Sequence, residues 1–279
     1  MQKKNTKIKN KGRILVCGDI HGNHKGFKQA LERANFNNEI DTLISLGDVV
    51  DGHCDSYEVV EELLKIKNLI AIKGNHDDWF LYYLNDGKEH GSAWTQGALA
   101  TGMSYLSKSR PEEPWYSYKN EVGTGLSLTR NIKLSDIPKS HVEFFRNQLS
   151  YYVDDKKRLF VHGGFNRHYP IETQGDILWW DRDLWSQALT WETIIGNDDG
   201  EGGRYKPRFT MHGEFKEVFI GHTSTQFWDV NEPMHAANIW NLDTGGGWFG
   251  YVTIMDVDTK EFWQSDNAKS LYPEFSGRK

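Results

Sequence analysis

"RILVCGDIHGN", residues 13–23, runs a short apolar stretch from Arg13 to Cys17 directly into a Gly-Asp turn. An apolar run that short is a buried strand rather than a helix. Beyond the turn, Phe27, Ala30, Leu31 and Ala34 recur at helical spacing. "DTLISLGDVVDG", residues 41–52, repeats the plan, with a strand from Leu43 to Leu46 and a second Gly-Asp turn. Val59, Val60, Leu63 and Leu64 mark the helix that follows. "NLIAIKGNHDD", residues 68–78, is a third strand, ending in a Gly-Asn-His turn. Strand, polar turn and helix in succession predict an α/β fold with a parallel sheet and crossover helices.

Residues 78–150 break this rhythm. Trp79, Phe80, Tyr83, Leu99 and Tyr105, then "KSHVEFFRNQL" at 139–149, read as helices inserted beside the cleft. Trp79, Trp94 and Trp115 are assigned to the core of that helical insertion. "YYVDDKKRLFVHGG" reads as a hairpin turning at Asp155 and Lys156. Residues 196–207 are glycine-rich and polar, hence a surface loop. "EVFIGHT" is a further strand entering a turn, and residues 239–266 read as antiparallel strands turning at Asp258 and Thr259. With no internal repeat and no linker, residues 13–279 are expected to form a single domain. Residues 1–12 are expected to be a flexible tail, since "MQKKNTKIKNKGR" holds six basic residues and no acidic one.

Composition narrows the class. Hydrophobic residues at 38% and charged residues at 26% describe an ordinary globular chain. A net charge of −6 argues against general attraction to nucleic acid or anionic lipid, the basic tail excepted. No apolar stretch reaches the ~18–20 residues of a membrane span, and the start lacks an apolar signal-peptide region. Cys17 and Cys54 are the only cysteines and provide no disulfide framework, so a reducing cytoplasm is expected.

Five apolar strand ends carry polar clusters: "GDIHG" (18–22), "GDVVDG" (47–52), "GNHD" (74–77), "HGG" (162–164) and "GHT" (221–223). Side chains at the carboxyl ends of parallel strands converge on one crevice. Asp19, His21, Asp48, Asn75, His162 and His222 then form an oxygen-and-nitrogen donor set for two divalent metals. A shared carboxylate would hold such ions ~3.5–4 Å apart, the spacing used in phosphate ester hydrolysis. A hydroxide trapped between them would be nucleophilic near neutral pH.

These motifs, spanning residues 18–223, resemble the calcineurin-like metallophosphoesterase superfamily. The resemblance is greatest to the serine/threonine phosphoprotein phosphatase branch, in its small bacterial and bacteriophage (lambda phosphatase-like) form. It implies a four-layer α/β/β/α sandwich. It implies that Asp19, His21 and Asp48 bind one metal, and that Asp48, Asn75, His162 and His222 bind the second. His76 would be the general acid and Asp51 the carboxylate that orients it. Manganese is the expected ion; the donor set also admits iron, zinc, nickel or magnesium. Ser224 stands where nuclease-like and many diesterase-like branches place a further metal histidine.

The branch pattern is Gly-Asp-x-Val-Asp-Arg-Gly, then Arg-Gly-Asn-His-Glu. Here Gly52 and Lys73 replace the arginines and Asp77 replaces the glutamate. A lysine offers a point charge where arginine offers a two-pronged fork. Arg182, Lys73 and Arg167 are the expected substrate-binding cations, with Trp179, Trp180 and Trp185 as cleft wall. The leading expectation is a phosphomonoesterase of serine/threonine phosphatase type, acting on a phosphorylated protein or small molecule. The alternatives are hydrolysis of dinucleoside polyphosphates, cyclic nucleotides or RNA ends, and a non-catalytic phosphate-binding module. The lost arginines favour a diester or anhydride over a doubly charged monoester.

Overall fold

The computed structural model describes residues 12–86, 96–112, 116–119, 125–128, 132–196 and 208–274. All but the last residue of the basic tail, Trp94, Trp115 and nearly all of the 196–207 loop lie outside the described residues.

In chain order the elements are β1 (Ile14–Cys17), α1 (His24–Arg33), β2 (Thr42–Ser45), α2 (Ser56–Leu64), β3 (Leu69–Ala71) and α3 (Asn75–Asp86). The insertion continues with α4 (Ala98–Ser109), β4 (Tyr116–Lys119), β5 (Gly125–Leu128) and α5 (Lys139–Asn147). Then come β6 (Tyr151–Val153), β7 (Arg158–Val161), α6 (Ile177–Trp180), α7 (Asp183–Trp191) and β8 (Glu217–Ile220). The chain closes with β9 (Met234–Ala236), β10 (Ile239–Asn241), β11 (Thr253–Asp256), β12 (Phe262–Gln264) and α8 (Ala268–Leu271).

Two five-stranded sheets result, in the orders β12-β11-β1-β2-β3 and β6-β7-β8-β10-β9. In the first, β1, β2 and β3 run parallel, with Leu15 opposite Leu43 and Leu43 opposite Leu69. In the second, β7, β8 and β10 run parallel between antiparallel edges. Side-chain alternation along β1 shows how the layers form. Leu15 and Cys17 join the cluster packed under α1 and α2, while Val16 joins Phe160, Phe219 and Met255 between the sheets. Leu159, Val161 and Ile220 face the other way, onto Leu184 and Trp185 of α7. The arrangement is the expected α/β/β/α sandwich.

Three expectations need correction. The final strands are not one antiparallel group. β10 pairs in parallel with β8, and the chain then crosses to the other sheet as β11. The glycine-rich segment "TGGGWFG", 244–250, makes that crossing. Asn75 and His76 lie in the first turn of α3 rather than in a loop. The insertion also holds an antiparallel hairpin, β4–β5, whose "YSYK" and "GLSL" have the two-residue period of a strand.

Candidate metal centre and active site

All five polar clusters follow strands whose carboxyl ends open on one crevice. Asp19 and His21 follow β1, Asp48 follows β2, Asn75 and His76 open α3 after β3, and His162 and His222 follow β7 and β8. The backbone turns sharply there: His21, Asp48, Asp51 and His222 have φ of 49°, 49°, 63° and 67°. Left-handed backbone at a non-glycine residue costs ~1–3 kcal/mol and persists only where surroundings impose it. The imposed contacts are visible. Ile20 and His21 donate their N–H groups to Asp48 O, and Asp19 accepts from the N–H of His222 through both oxygens, at 3.2 Å. Gly74 has no space for a side chain: a Cβ there would lie 2.0 Å from Asp48 Oδ1. The carboxylate of Asp48 is thus seated directly on glycine backbone.

Asp48 stands at the middle. Its Oδ2 is 3.4 Å from His21 Nε2 and 3.4 Å from His162 Nε2, and its Oδ1 accepts from the N–H of His76 at 2.9 Å. Donor atoms of His21, Asp48 and His76 all lie within 4.8 Å of one another, as do those of Asp48, His162 and His222. Both groups share Asp48; the first holds His76 where Asp19 was expected, and Asp19 Oδ2 stands 3.7 Å from His21 Nε2. His21 donates Nδ1–H to Val50 O and His162 donates Nδ1–H to Leu46 O, each at 2.9 Å. Those bonds place a proton on Nδ1 and turn the Nε2 of each ring toward Asp48. Asn75 Oδ1 lies 3.1 Å from His162 Nε2.

These residues fit a pair of cations. Among the described residues His222 Nε2 is buried with no hydrogen-bond partner, and buried Asp48 Oδ2 meets the imidazoles of His21 and His162 no closer than 3.4 Å; buried charge is ordinarily paired or metal-bound. Burial raises the Asp48 carboxyl, but the imidazoles of His162 and His76 hold it well below the usual carboxylate range. Burial lowers His162, yet Asp48 and then Asp19 bring it up to about 9. The carboxylates therefore draw positive charge into this spot. Burial, then the charge of His162, holds His222 well below its ordinary value, leaving it a neutral donor.

His76 and Asp51 form a buried pair, His76 Nδ1 donating to Asp51 Oδ2 at 2.9 Å. Burial lowers the His76 imidazole, opposed by Asp48 and Asp51. Thr101 of α4 donates to the other Asp51 oxygen and accepts from the Asp51 N–H. No sequence signal ties Thr101 to Asp51 across fifty residues. Asp77, the substituted glutamate, accepts from the N–H groups of Val49 and Gly74 and so ties two of the loops together.

The expected substrate cations separate. Arg182 lines the cleft beside Asn75, His76 and His222, where its Nη1 donates to His222 O and Thr223 Oγ1 at 2.9 Å. Lys73 points away: its ammonium pairs with Asp78 at 3.0 Å and lies over the Trp179 ring. Arg167 belongs to a different cavity, donating to Gln187 and to Thr210 O and stacking on Phe209. Among the three expected wall tryptophans only Trp180 lines the cleft; Trp185 is fully buried and Trp179 nearly so, in the core under α7. Trp79 is both core and wall. Position 52 also gains a reason. Gly52 has φ of +141°, and a Cβ would lie 2.7 Å from His21 O. In this backbone no side chain, least of all an arginine, has room at that position.

Comparisons with known proteins agree with this fold. The family model described as calcineurin-like phosphoesterase matches residues 12–226. A symmetrical bis(5'-nucleosyl)-tetraphosphatase of Nitrosomonas europaea is 23% identical over 89% of this chain and 96% of its own length. Serine/threonine-protein phosphatase 2 of Escherichia coli is 36% identical, but over 33% of this chain and 39% of its own length. A crystal structure of a metallophosphoesterase from Sphaerobacter thermophilus superimposes with a TM-score of 0.51 and 16% identity, covering 94% of this chain and 93% of its own.

Proposed function

The chain belongs to the calcineurin-like phosphoesterase family, and from that premise we propose that it hydrolyses the phosphoanhydride bridge of dinucleoside polyphosphates. Position 52 carries this reading. With Gly52 hemmed in by His21, the cleft keeps Arg182 as its guanidinium among the described residues and loses the fork expected at 52. A doubly charged terminal phosphate is the substrate that suffers most from that loss, and a bridging phosphate the least. The Nitrosomonas relative, alike from end to end, acts by its name on a bis(5'-nucleosyl) tetraphosphate. The phosphomonoesterase reading has the likeness to the Escherichia phosphatase behind it, over about a third of the chain. It is the weaker of the two.

Asp19, His21, Asp48, Asn75, His162 and His222 would hold two divalent ions, for which manganese is proposed. Such ions supply Lewis acidity toward water and the phosphoryl oxygens. Arg182 orients the phosphoryl group. Asp51 fixes His76, whose Nε2 delivers a proton to the departing oxygen. A polyphosphate leaves as a stable anion and needs that proton less than an alkoxide does. His76→Asn should therefore slow an alkyl ester more than an anhydride.

The test compares the manganese-loaded protein on a dinucleoside tetraphosphate, an aryl phosphomonoester and an aryl phosphodiester. Anhydride hydrolysis is expected to exceed monoester hydrolysis by at least about tenfold in kcat/KM, a difference of ~1.4 kcal/mol in transition-state binding. Monoester hydrolysis faster than anhydride hydrolysis would reject the proposal.

A further inference from the structure

We infer that the aromatic wall running out of the metal centre is a stacking site for a nucleobase. A cavity of about 370 Å³ opens beside the candidate ligands, and His76, His222, Trp79, Trp180, Phe227 and Trp248 all form part of it. Four of these rings are contiguous. His76 meets Trp79 at 4.8 Å between centroids, Trp79 meets Trp180 at 5.2 Å, and Trp180 meets His222 at 6.1 Å. The band thus begins and ends on residues of the centre itself.

The outer three rings are not spare core. Trp180 is 41% exposed, Trp248 40% and Phe227 75%, whereas Trp185, five residues beyond Trp180, is fully buried. Large aromatic faces left in contact with water inside a cleft mark a binding surface. Phe227 is held out by a 3-10 turn that starts three residues after His222, where Ser224 caps the turn by accepting from Gln226 N–H. Trp248 sits on the glycine crossing between the sheets, whose Gly247 packs so closely on His21 that a Cβ would lie 2.4 Å from the ring. Both aromatics are therefore anchored to metal-ligand segments.

Arg182 and the candidate ligands Asn75 and His222 line the same cavity as these rings, so a phosphate chain held there would have its next substituent beside them. Exposed rings suit a flat π-face, and every nucleobase has one. The inference rests on the proposed anhydride substrate only for the identity of the group next to the phosphate.

The full chain, stripped of metal with a chelator, would be titrated with adenosine and separately with phosphotyrosine, following tryptophan fluorescence. Phe227→Ala, at an exposed position, should fold normally while keeping every tryptophan. Saturable quenching by adenosine, weakened about tenfold or more in Phe227→Ala, is expected from the worth of one stacked base. No saturable adenosine binding, equal binding by the variant, or binding of phosphotyrosine in preference to adenosine would overturn the inference. Dinucleoside tetraphosphate hydrolysis by the manganese-loaded protein is read separately. Hydrolysis without adenosine binding overturns the stacking site alone, and adenosine binding without hydrolysis overturns the proposed function alone.

Discussion

Thr101 Oγ1 donates to Asp51 Oδ1 at 2.5 Å and accepts from the Asp51 N–H at 3.0 Å. Both residues are fully buried. One hydroxyl from the insertion thus fixes the carboxylate that orients His76. Thr101→Val keeps the volume and removes both bonds. It should lower kcat by about tenfold, the size expected for a group that holds a working residue in place. The loss should be largest for substrates with poor leaving groups, and Thr101→Ser should restore most of it. Steady-state kinetics over a leaving-group series checks this; an equal loss for every leaving group would refute it.

Restoring the family arginine at position 52 should fail. A side chain there meets His21 O at 2.7 Å and His21 Cβ at 2.8 Å, on backbone with φ of +141°. Gly52→Arg should cost ~1–3 kcal/mol of stability and displace His21 from Asp48. Thermal unfolding and monoester assays measure both effects. A stable variant with raised monoesterase activity would show that the loop adapts freely.

Asp48 is common to both donor groups, so its loss should affect both ions together. Asp48→Asn is expected to reduce bound metal from about two equivalents to well under one. It should also abolish the rise in melting temperature that a ligand of the native state produces. Elemental analysis after dialysis, beside thermal unfolding with and without manganese, provides the readout. Retention of two equivalents would remove Asp48 from its bridging position.

Stability at low pH should depend on a pair far from the cleft. Asp41 accepts from Arg13 N–H, Arg13 Nη2 and Asn37 N–H at 2.9, 2.7 and 3.0 Å. Burial raises its carboxyl, but the bonds from Arg13 and Asn37 outweigh that and hold it below its ordinary value. A depressed folded-state pKa stabilises above the unfolded value, ~3.9, and that stabilisation is lost as pH falls through the folded value. Asp41→Asn should therefore cost ~1–2 kcal/mol at pH 7, discounted for the partly exposed arginine. The difference should shrink as pH falls below the unfolded carboxyl value of ~3.9 and through the lower folded one. Denaturant unfolding at several pH values tests the trend; a constant difference would contradict it.

Much of the centre was legible along the chain. A short apolar run ending in Gly-Asp or His-Gly is consistent with a buried strand entering a tight turn, five in succession single that reading out, and parallel strands send such turns to one edge. That reasoning expects Asp19, His21, Asp48, Asn75, His162 and His222 at one crevice, and the fold does bring these side chains near one another. The long-range pairings were not legible. β10 and β11 read alike, and only packing assigns one to each sheet. Arg182, Lys73 and Arg167 are equally cationic in sequence; the fold aims one at the cleft and gives the others to Asp78 and Gln187.

Local chemistry, then, determined which groups gather: strand-end carboxylates and imidazoles, whose positions follow from the two-residue period of the strand and from the turn after it. Tertiary structure alone decided what surrounds them. Thr101 behind Asp51, the rings of Trp180 and Phe227 along the cleft, and the lack of room at Gly52 all arise from contacts between distant segments. The missing arginine is visible in the sequence, but its cause, a backbone pressed against His21, exists only once the chain has folded.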